Sequence, residues 1–170
     1  MKRSLFLLLV LVYCSSCNRT PEKLLSREEK LENVLKNIVP PKISENILLI
    51  TDFGAIGDSL TDSKPAFDKA IQACKEQKGG KIVVPAGIYI LNGPIHLTNN
   101  LCIELKKGSK LVFGTNPADY LPAVLTSWEG TFLYNYSPFI YGYQLENVAI
   151  TGDGVIDGNA RDSFSKWAEN

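Results

Sequence analysis

The sequence predicts an all-β protein whose short strands stack as the coils of a solenoid, preceded by helices. Three observations lead to this prediction. After residue 80, short apolar runs alternate with Gly, Pro and Asn, which is typical of strands separated by turns. The stretches 101–111 and 147–155 both contain a strand, a glycine-containing bend and a strand, and their spacing suggests about two coils of roughly twenty residues. One amphipathic helix and a double glycine precede the first of these strands.

The composition is that of a single globular domain without net charge. The 170 residues are 45% hydrophobic and include 18 basic and 18 acidic side chains. Such a balance lacks the positive excess that draws proteins to nucleic acids or to anionic membranes. We therefore expect no nucleic-acid partner.

Residues 1–17 have the pattern of a lipoprotein-type signal peptide. A basic start precedes the apolar run of residues 5–12, which is too short to span a bilayer. Cys17 follows two serines, as in bacterial lipoproteins, and we predict that it is lipidated, with Cys14 as the alternative and an unlipidated secretory signal as the other interpretation. The prediction is an exported protein, anchored by lipid in a bacterial envelope at the periplasmic or outer-membrane face, with the anchor as its membrane contact.

Residues 18–46 are predicted to form a spacer that contains one amphipathic helix. Ser26 and Glu29 have the spacing of a capping box. Apolar residues follow at helical intervals, at Leu31, Val34, Leu35 and Ile38. We expect this helix to pack on the folded body and to cap the N-terminal end of the solenoid, where strand edges would otherwise stay unpaired.

The segment 50–89 is predicted to begin the folded body. A loop rich in glycine and aspartate leads to a helix that Asp62 or Ser63 caps and that Gly79-Gly80 ends. The helix presents one apolar stripe to the core, formed by Phe67, Ala70, Ile71 and Cys74.

Eight strands are predicted after this helix. They lie near residues 82–84, 88–91, 95–97, 102–105, 111–113, 139–141, 148–151 and 155–157. Residues 121–136, which are rich in aromatic side chains, interrupt this rhythm. We predict that they leave the coil as an excursion.

Three blocks of residues carry a family resemblance. They are Asp-Phe-Gly-Ala-x-Gly-Asp from Asp52, Gly-Gly-x-Ile-Val-Val-Pro-Ala-Gly-x-Tyr from Gly79, and the Asp-Gly block of residues 146–158. Together with the segment from Trp128 to Tyr141, they resemble the polygalacturonases, glycoside hydrolase family 28 of the pectate-lyase-like superfamily. The resemblance implies that residues 47–170 form the first coils of a truncated right-handed parallel β-helix.

The resemblance also implies a function. It points to an exported, pectin-degrading glycoside hydrolase that cleaves galacturonan or a related acidic plant polysaccharide by an inverting mechanism, without cofactor or metal, as a monomer at full length. The family assigns catalysis to Asn-Thr-Asp and Asp-Asp segments, supported by Gly-His-Gly and Arg-Ile-Lys. None of these strings occurs in the 170 residues, so we assign no catalytic residue and expect this chain alone to be inactive. The alternatives are a non-catalytic β-helix lipoprotein module with a glycan-binding or structural role, and a lyase or epimerase fragment of the same superfamily.

Aromatic side chains are the candidate glycan contacts. Their rings offer flat apolar faces with polar tips. We predict that Trp128, Tyr134 and Tyr136 bind substrate, and Tyr141 and Tyr143 are further candidates. Packing in the core is the alternative interpretation for these rings.

The acidic candidates are predicted to be structural. Asp153 and Asp157 alternate with glycines and are interpreted as turn residues. The spacing of Asp52, Asp58 and Asp62 does not match an EF-hand, so turn and capping roles are preferred to calcium binding.

The remaining candidates are one histidine and two cysteines. His96 is predicted to be a strand side chain and not a metal ligand or base. Cys74 and Cys102 are predicted to be buried thiols, and the sequence leaves open whether they form a disulfide.

Overall fold

The computed structural model describes residues 26–161 of the chain, which contain two α-helices and twelve strands. The helices are α1 (Arg27–Lys36) and α2 (Lys64–Glu76), and two 3-10 helices span Ile50–Phe53 and Pro117–Tyr120. The strands are β1 (Ile47–Leu49), β2 (Asp58–Asp62), β3 (Gly80–Val84), β4 (Gly87–Leu91), β5 (Ile95–His96), β6 (Leu101–Leu105), β7 (Ser109–Phe113), β8 (Val124–Trp128), β9 (Thr131–Asn135), β10 (Ile140–Tyr141), β11 (Ala149–Gly152) and β12 (Val155–Asp157). No helix within these described residues is long and apolar enough to cross a membrane.

Helix α1 begins with the predicted capping box. Ser26 Oγ accepts a hydrogen bond from the Glu29 amide at 3.1 Å, and Glu29 Oε2 accepts one from the Ser26 amide at 2.8 Å. These bonds satisfy two amides at a helix end, where amides have no partner within the helix. The helix belongs to one compact unit, Met1–Pro40, and the other elements belong to a second, Pro41–Asn170.

The strands of the second unit form three parallel sheets and one antiparallel pair. Sheet 1 has the order β1-β3-β6-β11, sheet 2 the order β12-β7-β4-β2, and sheet 3 pairs β10 with β5. Along the chain, β3, β4 and β5 visit sheets 1, 2 and 3 in turn, and β6, β7 and β10 repeat this order. Two successive rounds therefore add one parallel strand each to all three sheets, which confirms the predicted β-rich architecture of short strands.

The strand register gives the number of residues in one round, meaning one passage of the chain through the parallel sheets. Lys81 pairs with Cys102, 21 residues later, and Ile88 pairs with Lys110, 22 residues later. Cys102 then pairs with Ala149, 47 residues later, because this round contains the excursion. The stretches 101–111 and 147–155 are thus directly paired, and our interpretation of their spacing as two coils was wrong.

One buried cluster joins the sheets to α2. The register aligns apolar residues from strand to strand, so that Ile82 lies beside Ile103 and Tyr89 beside Leu111. The predicted stripe of α2 completes this cluster, with Phe67, Ala70, Ile71 and Cys74 buried. Full burial of one such aliphatic or aromatic side chain contributes about 1.5–3 kcal/mol, so this cluster is the main source of cohesion in the second unit.

The double glycine takes part in ending α2, as predicted, although the first left-handed residue is Lys78. The helix stops at Glu76, and the chain then turns through Lys78, which has a left-handed φ of 62°. Gly79 has no room for a side chain, because a Cβ there would lie 2.8 Å from the Cβ of Asn100. Gly80 is already the first residue of β3. Gly79 nevertheless closes the helix end, because its amide donates to the Cys74 carbonyl at 2.9 Å, and it also fits the chain closely against the next round.

Asparagines link the bends that precede sheet 1. Asn100 and Asn147 occupy equivalent positions before β6 and β11, and both have left-handed φ, of 58° and 54°. Asn147 Nδ2 donates to Asn100 Oδ1 at 2.9 Å. Asparagine adopts this conformation more readily than most residues with a Cβ, so the same residue type shapes the bend and ties it to its neighbour.

The Gly152-Asp153-Gly154 bend lies directly on the preceding round. Gly152 pairs with Leu105 and has a φ of 98°, and a Cβ on it would lie 2.0 Å from the Leu105 carbonyl oxygen. A Cβ on Gly154 would lie 2.3 Å from Ser109 Oγ. The two glycines are therefore required by backbone packing at this bend.

We expect Gly152→Ala to lower the free energy of unfolding by about 2–4 kcal/mol, because the steric overlap adds to the strain of a left-handed alanine. Gly130→Ala is the matched control, since Gly130 has a φ of 83° and no atom within 4 Å of the added Cβ. This control should lose only about 1 kcal/mol. Urea denaturation measures both values, and equal losses would contradict the close packing of Gly152.

Candidate functional site

The candidate site lies on the excursion between β7 and β10. The chain leaves the sheets after Phe113, passes through the 3-10 helix Pro117–Tyr120, and forms β8 and β9 before it returns at β10. These two strands pair antiparallel with each other and with no other strand among residues 26–161. The predicted excursion is thus confirmed as a two-stranded structure, which we call the ribbon (residues 124–135).

Aromatic packing closes the base of the excursion. The Ser137 amide donates to the Tyr120 carbonyl at 2.9 Å, and the Tyr120 hydroxyl donates to the Gly114 carbonyl at 2.5 Å. Phe139 stacks on Phe113 with ring centroids 4.8 Å apart and meets Tyr120 edge-on at 5.6 Å. Burial raises the pKa of Tyr120 to about 12, so its hydroxyl stays protonated as a donor. The two ends of the excursion are therefore held together.

Tyr141 fixes the ribbon against the sheets. This residue ends β10 in sheet 3, and its hydroxyl donates to the carbonyl oxygen of Leu125 in β8 at 3.0 Å. A two-stranded ribbon by itself is marginally stable in water. The hydrogen bond from Tyr141 thus stabilises the ribbon from outside its own two strands.

His96 supports the same region from β5. Its Nε2 lies 3.0 Å from Ser137 Oγ, and its ring centroid lies 5.3 Å from that of Tyr141. Because the Ser137 hydroxyl donates to the Pro138 carbonyl at 3.1 Å, the hydrogen shared with His96 comes from Nε2. Desolvation, followed by the charge of Lys64, lowers the pKa of His96 and keeps the ring neutral at neutral pH. His96 is a strand residue, as predicted.

The pairing of β8 with β9 sorts the aromatic side chains onto two faces. Phe132 pairs with Ser127 and Tyr134 pairs with Leu125, so all four lie on one face of the ribbon. Trp128 pairs with Thr131 and lies on the opposite face. The exposed fractions are 68% for Trp128, 72% for Phe132 and 73% for Tyr134.

The structure therefore groups the predicted contact residues differently from the sequence. Tyr134 shares its face with Phe132, whereas Trp128 points away from both. Tyr136 follows β9 and is also exposed. Phe132 was overlooked in the sequence, although the alternation of residues 131–135 in a strand places Phe132 and Tyr134 on one side.

The described carboxyl groups with a shifted pKa lack the environment of a catalytic acid. In residues 26–161, every carboxyl whose pKa is shifted is shifted downward, at Asp58, Glu104 and Asp157. Backbone amides stabilise the carboxylate of Asp58, and lysine side chains stabilise the other two. A general acid in glycoside hydrolysis needs a raised pKa, so these groups are structural.

The individual contacts of the aspartates support this conclusion. Asp58 accepts hydrogen bonds from the amides of Leu60 and Thr61, and Asp62 accepts one from the Lys64 amide at the start of α2. Turn and capping roles are thus confirmed for these two aspartates. Within the described part of the chain, no group of three or more His, Cys, Asp or Glu side chains could hold a metal ion.

The carboxylates of the Asp-Gly block are also accounted for. Asp153 lies in the bend between β11 and β12. Asp157 ends β12, where it pairs with Lys110 Nζ at 2.7 Å and accepts a hydrogen bond from the Asn159 amide. Asp153 is a turn residue as predicted, while Asp157 is a strand residue in an ion pair.

The described cysteines lie on opposite sides of sheet 1. Cys74 and Cys102 are both buried free thiols. Ile103 faces the core that contains Cys74, and its neighbour Cys102 therefore faces the other side, where its Sγ lies 3.5 Å from Thr151 Oγ1. They form no disulfide. The lipidation candidates Cys17 and Cys14 lie outside the described residues.

Comparison with known proteins shows which proteins the chain resembles. A family model described as rhamnogalacturonase A/epimerase, pectate lyase-like, matches residues 47–110. An exo-poly-α-D-galacturonosidase of Dickeya chrysanthemi is 32% identical over 127 residues, covering 66% of this chain and 19% of that protein. A probable endo-xylogalacturonan hydrolase A of Aspergillus flavus is 36% identical over 115 residues, covering 67% of this chain and 25% of that protein.

A solved structure agrees with these relatives. A hyperthermoactive exopolygalacturonase from Thermotoga maritima matches with a TM-score of 0.71 and 44% identity, covering 75% of this chain and 28% of that one. This chain resembles the polygalacturonase-like glycoside hydrolases. The family resemblance predicted from the sequence motifs is thus confirmed. The polygalacturonase-like chain spans only 19% and 25% of the two curated relatives.

We expect Tyr141→Phe to loosen the ribbon while the sheets stay folded. Loss of one hydrogen bond of about 0.5–1.5 kcal/mol should speed amide hydrogen exchange in residues 124–135 about two- to tenfold. Tyr143→Phe is the control, because Tyr143 is exposed and lies beyond β10. Exchange measured by mass spectrometry tests this, and an unchanged ribbon in Tyr141→Phe would show that the bond to Leu125 does not anchor it.

Proposed function

We propose that this polygalacturonase-like chain belongs to an exported, pectin-degrading glycoside hydrolase that hydrolyses galacturonan-type polysaccharide by an inverting mechanism. The observation that carries this proposal is the 44% identity and TM-score of 0.71 to an exopolygalacturonase across 75% of the chain. Curated relatives named as a galacturonosidase and a xylogalacturonan hydrolase support the same substrate class.

The proposal includes a right-handed parallel β-helix. Residues 47–161 contribute its first coils. The repeated visits of the chain to three parallel sheets support this architecture. Paired residues of neighbouring strands are 21 and 22 residues apart in the sequence, which is the length expected for one coil.

An inverting mechanism requires two carboxyl groups. One protonates the departing glycosidic oxygen, and the other activates a water on the opposite face of the sugar, at a separation of about 6.5–9.5 Å. The shifted carboxylates of residues 26–161 are held ionised by structural contacts. We infer that the catalytic pair belongs to the remainder of the enzyme, and that a chain ending at Asn170 is inactive by itself.

The described segment contributes to substrate binding in this proposal. The exposed rings of Trp128, Tyr134 and Tyr136 contact the glycan, because a large exposed aromatic surface on a soluble protein marks an interaction site. No cofactor takes part, and the full-length protein acts as a monomer.

The complete gene product is expected to release new reducing ends from polygalacturonate, whereas a chain ending at Asn170 releases none. Proton NMR of the first product should show the anomeric configuration opposite to that of the substrate, as inversion demands. Retention would overturn the mechanism. An unsaturated product would favour a lyase, and binding without cleavage by the complete product would favour a non-catalytic glycan-binding module.

We also propose that the protein is a lipoprotein of a bacterial envelope, held by an acylated Cys17. The apolar run followed by small residues and a cysteine supports this proposal. Cys17→Ala should abolish incorporation of labelled palmitate and release the protein from the membrane fraction. Cys14→Ala is the matched control and should keep both. If Cys14→Ala alone removes the label, the anchor is Cys14, and if the unchanged protein takes up no label, it has no lipid anchor.

A further inference from the structure

The ribbon lies in a part of the chain that has no positive side chain. Residues 111–160 contain no Lys or Arg, but they contain five carboxylates, namely Asp119, Glu129, Glu146, Asp153 and Asp157. Glu129 lies in the two-residue turn that joins β8 to β9. The ribbon therefore offers a carboxylate, and no cation, beside its exposed rings.

Two basic residues close to the excursion are already paired. Lys110 forms an ion pair with Asp157 at 2.7 Å. Lys64, which affects the charge state of His96 at the base of the excursion, forms an ion pair with Asp68. Neither is free to balance the charge of a ligand at the ribbon.

This charge distribution conflicts with direct binding of a free uronate on the ribbon. A carboxylate that leaves water needs an opposite charge or several hydrogen-bond donors. The face of Phe132 and Tyr134 offers two rings, the apolar side chain of Leu125 and the hydroxyl of Ser127. A uronate there would lose hydration, gain no cation and approach the charge of Glu129.

The same face suits an uncharged sugar ring. The apolar side of a neutral pyranose can lie flat on an aromatic ring, while its hydroxyl groups stay in water or bond to the polar tips of the site. Phe132 and Tyr134 lie two residues apart on one strand, a spacing of about 6.6–6.8 Å. The surface formed by the two aromatic rings is thus wide enough for one or two sugar rings and too short for an extended polymer.

We propose that the Phe132 and Tyr134 face of the ribbon binds neutral sugar branches carried on a galacturonan backbone, and that it does not bind the uronate backbone itself. This inference rests on the proposed function, because the backbone would be held and cleaved by other parts of the enzyme. Phe132 becomes a specificity-determining contact residue, and Tyr134 acts with it.

The test measures binding of the complete gene product to three polymers by isothermal titration calorimetry. The probes are xylose-branched galacturonan, unbranched polygalacturonate, and unbranched galacturonan with methyl-esterified carboxyls. The variants are Phe132→Ala and Tyr134→Ala. Thr131→Ala is the control, since Thr131 lies on the same strand and on the opposite face.

We expect Phe132→Ala and Tyr134→Ala to weaken binding of the branched polymer about three- to tenfold, the size of one lost aromatic contact. Binding of unbranched polygalacturonate should stay within about twofold, as should all binding by Thr131→Ala. Glu129→Lys should strengthen binding of unbranched polygalacturonate at low salt, and this gain should disappear at high salt through screening.

Three results would overturn the inference. They are an equal loss on branched and unbranched polymers, no loss on the branched polymer, and a loss confined to the methyl-esterified polymer. If the unaltered protein binds polygalacturonate and these results appear, the proposed function stands and only the role of the ribbon is wrong. If the unaltered protein neither binds nor cleaves any of the three polymers, both proposals are wrong.

Discussion

Parallel backbone pairing between successive rounds of the chain is the interaction on which the rest of the structure depends. Every residue of β3 pairs with β6, and every residue of β4 pairs with β7, in uninterrupted register. Because side chains alternate between the two faces of a strand, this register stacks apolar residues on apolar residues through the core. A shift by one residue would turn all of these side chains to the outer face.

The register also explains the unusual residues at the bends. Successive rounds lie only one strand spacing apart. The backbone of each bend therefore comes close to the backbone of the bend in the previous round. Gly152 lies where a Cβ would overlap the Leu105 carbonyl, and Asn100 and Asn147 occupy left-handed positions joined by a side-chain hydrogen bond. The Gly152-Asp153-Gly154 sequence is therefore explained by backbone packing and not by a catalytic role.

An insertion is compatible with this register only if it leaves and rejoins the coil at neighbouring points. The Ser137 to Tyr120 backbone bond and the packing of Phe139 on Phe113 meet this requirement. The bond from Tyr141 to Leu125 then orients the ribbon. A surface excursion with a rigid base can carry binding residues, while the carboxylates in the described rounds serve turns and ion pairs.

The sequence by itself determined the local elements and the family resemblance. The Ser26 capping box, the stripe of α2 and most strand positions follow from short-range patterns, and the motifs carry the resemblance to polygalacturonases. Only the tertiary structure decided which strands pair, because a spacing of 47 residues is compatible with two coils or with one coil and an excursion. It also separated Trp128 from Tyr134, brought Phe132 beside Tyr134 and placed Cys74 and Cys102 on opposite sides of a sheet. The physical reason is that local patterns report periodicity, whereas strand pairing joins residues far apart in the chain.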